Sequence, residues 1–199
     1  MDALFTFMLA AIALIGSPGP NTLSLAAVGA SFGPLRGLNY MLGLNLGMVL
    51  VIALVGSGVA SMVLAVPGIA PAVTLVAAAY FLYLAYKIAT APPLSKSDST
   101  QASAAPRWYV GTGLSLVNPK GYAAMAALFS GHVLVEGDGL ADSLWKAALL
   151  LTTICVVNIL WLSLGAGMAR LLHEPRTARI VNICFAILLL LSVALAVLG

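Results

Sequence analysis

Two apolar runs in this chain, each long enough to cross a bilayer as a helix, carry prolines part-way along: Ser17-Pro18-Gly19-Pro20-Asn21 and Asn118-Pro119-Lys120-Gly121. A proline inside a helix has no N–H for the carbonyl of residue i−4, and its ring collides with that carbonyl, so both runs have to open there. Hydrocarbon offers the freed polar groups nothing to bond. Broken backbone at membrane depth is tolerated only where protein or a water-filled cavity surrounds it, which makes such breaks pointers to a transport pathway. One proline alone is read as readily as a kink that shapes helix packing. Two matched breaks argue for a site.

The membrane reading rests on composition. Of 199 residues 62% are hydrophobic and 8% charged, with a mean hydropathy of +1.08, too little polar surface to cover a water-soluble globule. The stretches 3–35, 37–86, 147–169 and 180–199 contain no Asp, Glu, Lys or Arg, and roughly 20 apolar residues are needed per crossing. Six spans fit, in a single all-α membrane domain over 1–199. A β-barrel would show short segments of alternating polarity, which are absent. The start, Met1-Asp2-Ala3, lacks the positive n-region of a cleaved signal, so the first helix is expected to be retained. The net charge of +3 is small and dispersed, which argues against nucleic acid as a partner. Cys155 and Cys184 fall in the fifth and sixth spans and are expected to be buried free thiols.

Within this frame, residues 1–90 hold three spans: the first broken at 17–21, the second over about 38–64, the third closing with Tyr80, Tyr83, Tyr86 and Lys87 as an interfacial belt. Gly43 and Gly47 have the small-xxx-small spacing that lets helices approach closely in lipid. Residues 91–106 are the polar, small-residue tract expected of a linker between halves. Residues 107–199 hold three more spans: the fourth broken at 118–120, the fifth entered through an acidic loop and Trp145-Lys146 and ending near Arg170, the sixth after His173. Arg36, Lys87, Lys96, Arg107, Arg170, Arg176 and Arg179 fall on one face and Lys146 on the other. By the positive-inside rule the linker is cytoplasmic and both termini lie outside the cytoplasm. Halves of three spans each must then sit in opposite orientations, the inverted-repeat signature.

Lys120 is the basic residue placed inside a span. An ammonium at mid-bilayer costs roughly 2.5–3.5 kcal/mol on insertion scales, so it should face a cavity or a partner and receive a substrate carboxylate, or else snorkel to the interface. The half-helices that begin at Pro20 and Pro119 present N–H groups and a positive dipole end that suit the same anion. Asn21 and Asn118 either cap these half-helices or bond a substrate. Asn45, Asn158 and Asn182 either line the cavity or hydrogen-bond between helices. His132 and His173 read as interfacial residues at span ends. None of the six acids falls within the expected spans, so proton coupling would need another group, and the carboxylate or thiolate clusters of a metal exporter are missing. No metal site or other cofactor is expected.

Taken in order, Ser17-Pro18-Gly19-Pro20-Asn21, the stretch from Ala78 to Lys87, Asn118-Pro119-Lys120 and a charged turn before a last hydrophobic helix resemble the LysE/RhtB amino-acid exporters along the whole chain. The stretch Lys87-Ile88-Ala89-Thr90 is more similar to the cysteine and O-acetylserine exporter branch. The resemblance implies six helices in two inverted halves, a multi-pass protein of the bacterial inner membrane, and efflux of amino acids or close derivatives. Proton drive is expected, with a small molecule and the lipid bilayer as partners and room for a homo-oligomer. It carries a binding role onto Pro18, Gly19, Pro20, Asn21, Asn118, Pro119 and Lys120; Asn45 and Asn158 join the site on their polarity within spans. No enzyme motif such as His-Glu-x-x-His is present. The competing classes are a thiol-disulfide electron carrier and a structural or assembly protein.

Overall fold

The computed structural model describes residues 2–90, 105–168 and 175–198, all of whose regular structure is helical. Eight helices follow in order: α1 (Asp2–Gly16), α2 (Pro20–Gly56), α3 (Val59–Leu64), α4 (Ile69–Ala89), α5 (Trp108–Leu116), α6 (Pro119–Gly131), α7 (Gly139–Gly167) and α8 (Pro175–Leu198). Residues 91–104 of the expected linker, Arg170 and His173, and the side chains of Tyr80, Lys87 and Asn182 lie outside the described residues. Among the described helices α2 and α7 are long and apolar enough to cross a membrane.

The prolines act through the residue before them, which steric conflict with the pyrrolidine ring expels from helical dihedrals. Gly19 before Pro20 (φ −170°, ψ 178°) and Asn118 before Pro119 (φ −80°, ψ 103°) are extended, and each proline then serves as the first residue of a new helix. The first break is therefore narrower than expected: Pro20 and Asn21 already belong to α2. The expected turn between the first two spans is a sharp kink inside α2, where Gly33 precedes Pro34 with φ 78° and ψ 169°, a conformation only glycine adopts freely.

Two boundaries differ from the sequence reading. The second span stops at Gly56 rather than near residue 64, because Gly58 turns the chain with φ 75° before the short α3. α7 begins at Gly139, well before Trp145, because the Asp138 carboxylate caps it by accepting from the N–H groups of Leu140 and Ala141. The later part of the acidic loop is thus helix. Asp142, one turn in, accepts from the N–H groups of Leu134 and Val135 and pairs with Lys146 at 2.6 Å, while Lys146 is 2% exposed and also donates to the Phe129 carbonyl. Lys146 is therefore a second lysine withdrawn from water, and Asp142 an acid inside a helix that qualifies as a span.

α2 is the central element. It packs most extensively on α7 and α5, while α4 packs on α8. Two apolar clusters hold the assembly. One gathers Leu23, Tyr40, Leu44, Leu114, Leu162 and Phe185; the other gathers Phe7, Met48, Val51, Met125, Leu150 and Ile154. In α2, in α7 and from α5 to α6 the sequence passes from one cluster to the other through polar residues: Leu44 to Met48 through Asn45, Leu162 to Ile154 through Asn158, and Leu114 to Met125 through Ser115 and Asn118. The asparagines and Ser115 thus fall between the two clusters in sequence, while the Asp142–Lys146 pair lies apart from them. Large apolar side chains also cover the outside: Phe5, Leu42, Leu46, Val156, Leu160 and Leu191 are all exposed, as a lipid-facing surface requires. Cys155 and Cys184 are free, but exposed on this outer surface rather than buried, because an apolar solvent lets apolar helices turn such residues outward.

Close backbone approach sets these interfaces. A Cβ on Gly43 would collide with the Trp108 carbonyl, one on Gly47 with Ser115 and the Thr112 carbonyl, and one on Gly165 with the Ala26 carbonyl. Backbone cannot step aside as a side-chain tip can. Gly165→Ala is expected to destabilise the fold by at least about 1–3 kcal/mol, as overpacking does, whereas Gly167→Ala, where a Cβ meets open space, should leave the thermal unfolding midpoint in detergent unchanged.

Candidate functional site

The C-terminal end of α1 has lost the next helical turn that would satisfy its carbonyls, and two side chains from other elements replace it. Trp161 of α7 donates through Nε1 to the Gly16 carbonyl at 3.2 Å. Lys120 of α6 donates through Nζ to the Ser17 carbonyl at 2.7 Å, the Ser17 hydroxyl at 2.8 Å and the Pro18 carbonyl at 3.0 Å. A cation is stabilised at a helix C-terminus and disfavoured at the N-terminus where Lys120 itself resides, so this lysine is held by a helix that is not its own. It does not snorkel outward.

Gly19 permits this. Its backbone is extended, a conformation open to any residue, yet a Cβ there would lie 2.7 Å from Cδ and 2.8 Å from Nζ of Lys120. The glycine between the two prolines thus leaves room for the Lys120 stem, which a Cβ would push out of its present place. Its N–H donates to the Thr22 hydroxyl at 2.9 Å and its carbonyl accepts from Leu23 N–H, which closes the start of α2.

The second break meets the first through amides. Asn118 Nδ2 donates to Asn21 Oδ1 at 3.0 Å, Asn21 Nδ2 donates to the Ser115 hydroxyl at 2.9 Å, and Ser115 donates to the Leu44 carbonyl at 2.9 Å. Neither asparagine caps its helix through its side chain. Asn118 Oδ1 is buried without a partner among the described residues. On the facing helices Asn158, 3% exposed, donates to Asn45 Oδ1 at 2.6 Å, and Asn45 points its own amide at Cys155 Sγ, 3.6 Å away.

Between the breaks lies a cavity of ≈ 50 Å³, and Gly19, Asn21, Asn118, Lys120 and Asn158 are among its lining residues. Pro18 contributes its carbonyl to Lys120 but is itself exposed. Pro20 and Pro119 start α2 and α6 without lining the space, and Asn45 stands behind Asn158. The remaining wall is mostly apolar: Leu14, Ile15, Met48, Met125 and Ile154. His132 stands apart, edge-on to the Phe7 ring at 5.5 Å. Sequence reasoning missed Ser17, Thr22, Ser115 and Trp161 as members of the network. Trp161 had a readable signal: a tryptophan three residues from Asn158, in mid-span rather than at an interface. Ser115 carried only its i−3 spacing from Asn118.

A family profile matches residues 12–199 and is described as LysE type translocator. The chain belongs to the LysE type translocator family. The cysteine/O-acetylserine efflux protein of Escherichia coli (strain K12) is 28% identical over 173 residues, covering 87% of this chain and 86% of the relative. Its counterpart from Salmonella typhimurium (strain LT2) is 29% identical over 174 residues, with 87% and 86% covered. No solved structure matches significantly. The family profile takes in both breaks, so the lysine-to-α1 contact lies within the matched region of this translocator.

The steric role of Gly19 gives a coupled prediction. Gly19→Ala should lower stability by about 0.5–1.5 kcal/mol in the intact protein, as disturbing the Lys120 hydrogen bonds does, but by clearly less in a Lys120→Ala background, where the colliding stem is gone. A double-mutant cycle on unfolding midpoints checks it; additive effects would show that Lys120 is not what Gly19 makes room for.

Proposed function

We propose that this translocator exports small amino acids or their close derivatives across the inner membrane by secondary-active transport, and that the cavity between the two breaks is the transport site. The observation that carries the reading is the joining of both breaks around one small space that holds an ammonium group and an unpaired amide oxygen. A zwitterion needs both chemistries. A buried water needs about 10–15 Å³ of such space, so ≈ 50 Å³ corresponds to a few waters, the scale of a short amino acid rather than a long basic one. Met48 and Met125 give the side chain a polarisable, adaptable wall. The names of the relatives, cysteine and O-acetylserine efflux proteins, support the same size class.

In this reading the substrate carboxylate takes over Lys120 from the Ser17 and Pro18 carbonyls, so binding loosens the end of α1 from α6. Lys120 is the one ionisable side chain among the described residues lining the cavity, so a proton-driven cycle has to pass its proton through Lys120 or the substrate's own ammonium. The two halves are read as inverted repeats. Each contains a broken helix and a long apolar helix, α2 and α7, and each ends in a helix, α4 and α8, that packs on the other. In this reading both termini lie outside the cytoplasm, which the positive-inside rule applied to the basic residues of the loops supports. Cys155 and Cys184 lie on outward faces of α7 and α8 rather than at the breaks, which gives the electron-carrier alternative no support.

Overproducing the protein is expected to raise efflux of O-acetyl-L-serine or L-cysteine from preloaded cells, and no change across a broad amino-acid panel would end the exporter reading. Within an active system, Lys120→Met should weaken apparent affinity roughly 10- to 100-fold, as loss of a charge-assisted contact of about 1.5–3 kcal/mol does, and Lys120→Arg should recover part. Normal transport per molecule of Lys120→Met would remove Lys120 from the site.

A further inference from the structure

The amide chain across the breaks has a fixed direction, and that direction leaves one buried acceptor unpaired on a residue that lines the cavity. The Leu44 carbonyl can only accept, so the Ser115 hydroxyl, 0% exposed and 2.9 Å away, must donate to it. Ser115 Oγ then accepts from Asn21 Nδ2, which turns Asn21 Oδ1 toward Asn118. That oxygen takes Asn118 Nδ2 and leaves Asn118 Oδ1 as the chain's terminal acceptor. Asn118 is 4% exposed, lines the cavity, and its Oδ1 has no partner among the described residues. A reversed amide would set Asn118 Oδ1 against Asn21 Oδ1, two acceptors face to face.

A buried acceptor without a donor is costly, so an orientation enforced by three successive bonds selects what enters the cavity. Donation along the chain polarises the terminal carbonyl oxygen further, which favours a charged donor over a neutral one. Among the described residues no carboxylate lines the cavity to compete for such a cation. We infer that Asn118 Oδ1 accepts the α-ammonium of the transported amino acid, which makes Asn118 the residue that distinguishes amino acids from carboxylic acids of the same shape. Lys120, two residues on, is placed to receive the carboxylate of the same molecule, so the inference rests on the transport site proposed above. The polarity set at Leu44 and Ser115 thereby fixes which way round the substrate binds.

The test uses proteoliposomes of the full-length protein and competition against labelled O-acetyl-L-serine by unlabelled O-acetyl-L-serine and by 3-acetoxypropanoate, the same molecule without its amino group. The wild type should prefer the amine by roughly 10- to 100-fold. Asn118→Leu and Asn118→Asp both lose the donor to Asn21, but only the aspartate keeps an oxygen acceptor at that position. The preference is expected to fall below about threefold in Asn118→Leu and to persist or grow in Asn118→Asp. A ratio taken within one preparation is independent of protein amount, and Asn118→Ala takes the place of the leucine variant if that variant fails to insert. A wild-type preference retained in Asn118→Leu, or lost equally in both variants, overturns the role of Oδ1. Absence of O-acetyl-L-serine transport by the wild type would instead remove the functional reading, and this inference with it.

Discussion

The structure depends on one contact: the Lys120 ammonium on the carbonyls and hydroxyl of Ser17 and Pro18. Two prolines open the first helix, and the unsatisfied carbonyl end of α1 carries the negative end of its dipole. Lys120 is an otherwise costly charge at the same depth. Each is a liability alone, and each supplies what the other lacks. Buried charges are tolerated where geometry satisfies every donor, and here three acceptors stand within 3.0 Å of an ammonium with three protons.

That solution has a functional consequence because it is reversible. A carboxylate is a stronger acceptor for an ammonium than a peptide carbonyl, so an entering anion competes directly with the bond that holds α1 to α6. The neighbouring amide chain is of another kind: it runs from Asn118 to the Leu44 carbonyl, ties α6 and α5 to α2, and involves no charge. One network can exchange partners and the other holds its direction. Both meet at the cavity, whose other walls come in part from the second apolar cluster.

Much of this was legible in the sequence because proline and lysine have consequences that context rarely reverses. Pro20 and Pro119 start helices, as a residue without an N–H should, and Lys120 found partners in Ser17 and Pro18. Other parts were illegible for physical reasons. The need for glycine at position 19 arises from a lysine stem about a hundred residues away, which no local pattern encodes. The end of the second span at Gly56 depends on the left-handed turn at Gly58, in a region with no charged residue to mark the boundary. The outward cysteines follow from the solvent: in lipid, apolarity no longer says which face is buried. The Asp142–Lys146 pair was readable as an i,i+4 spacing, and its burial came from the Phe129 carbonyl of α6 and the N–H groups of Leu134 and Val135 in the following loop.

The central claim is that the space between the breaks is where the transported molecule sits. Ala124 lines that space from α6 and accepts a thiol with little change of shape. In a Cys155→Ser, Cys184→Ser background, Ala124→Cys should react with methyl methanethiosulfonate, and saturating O-acetyl-L-serine should slow that reaction at least several-fold. An unchanged labelling rate in a variant that still transports the compound would contradict the account.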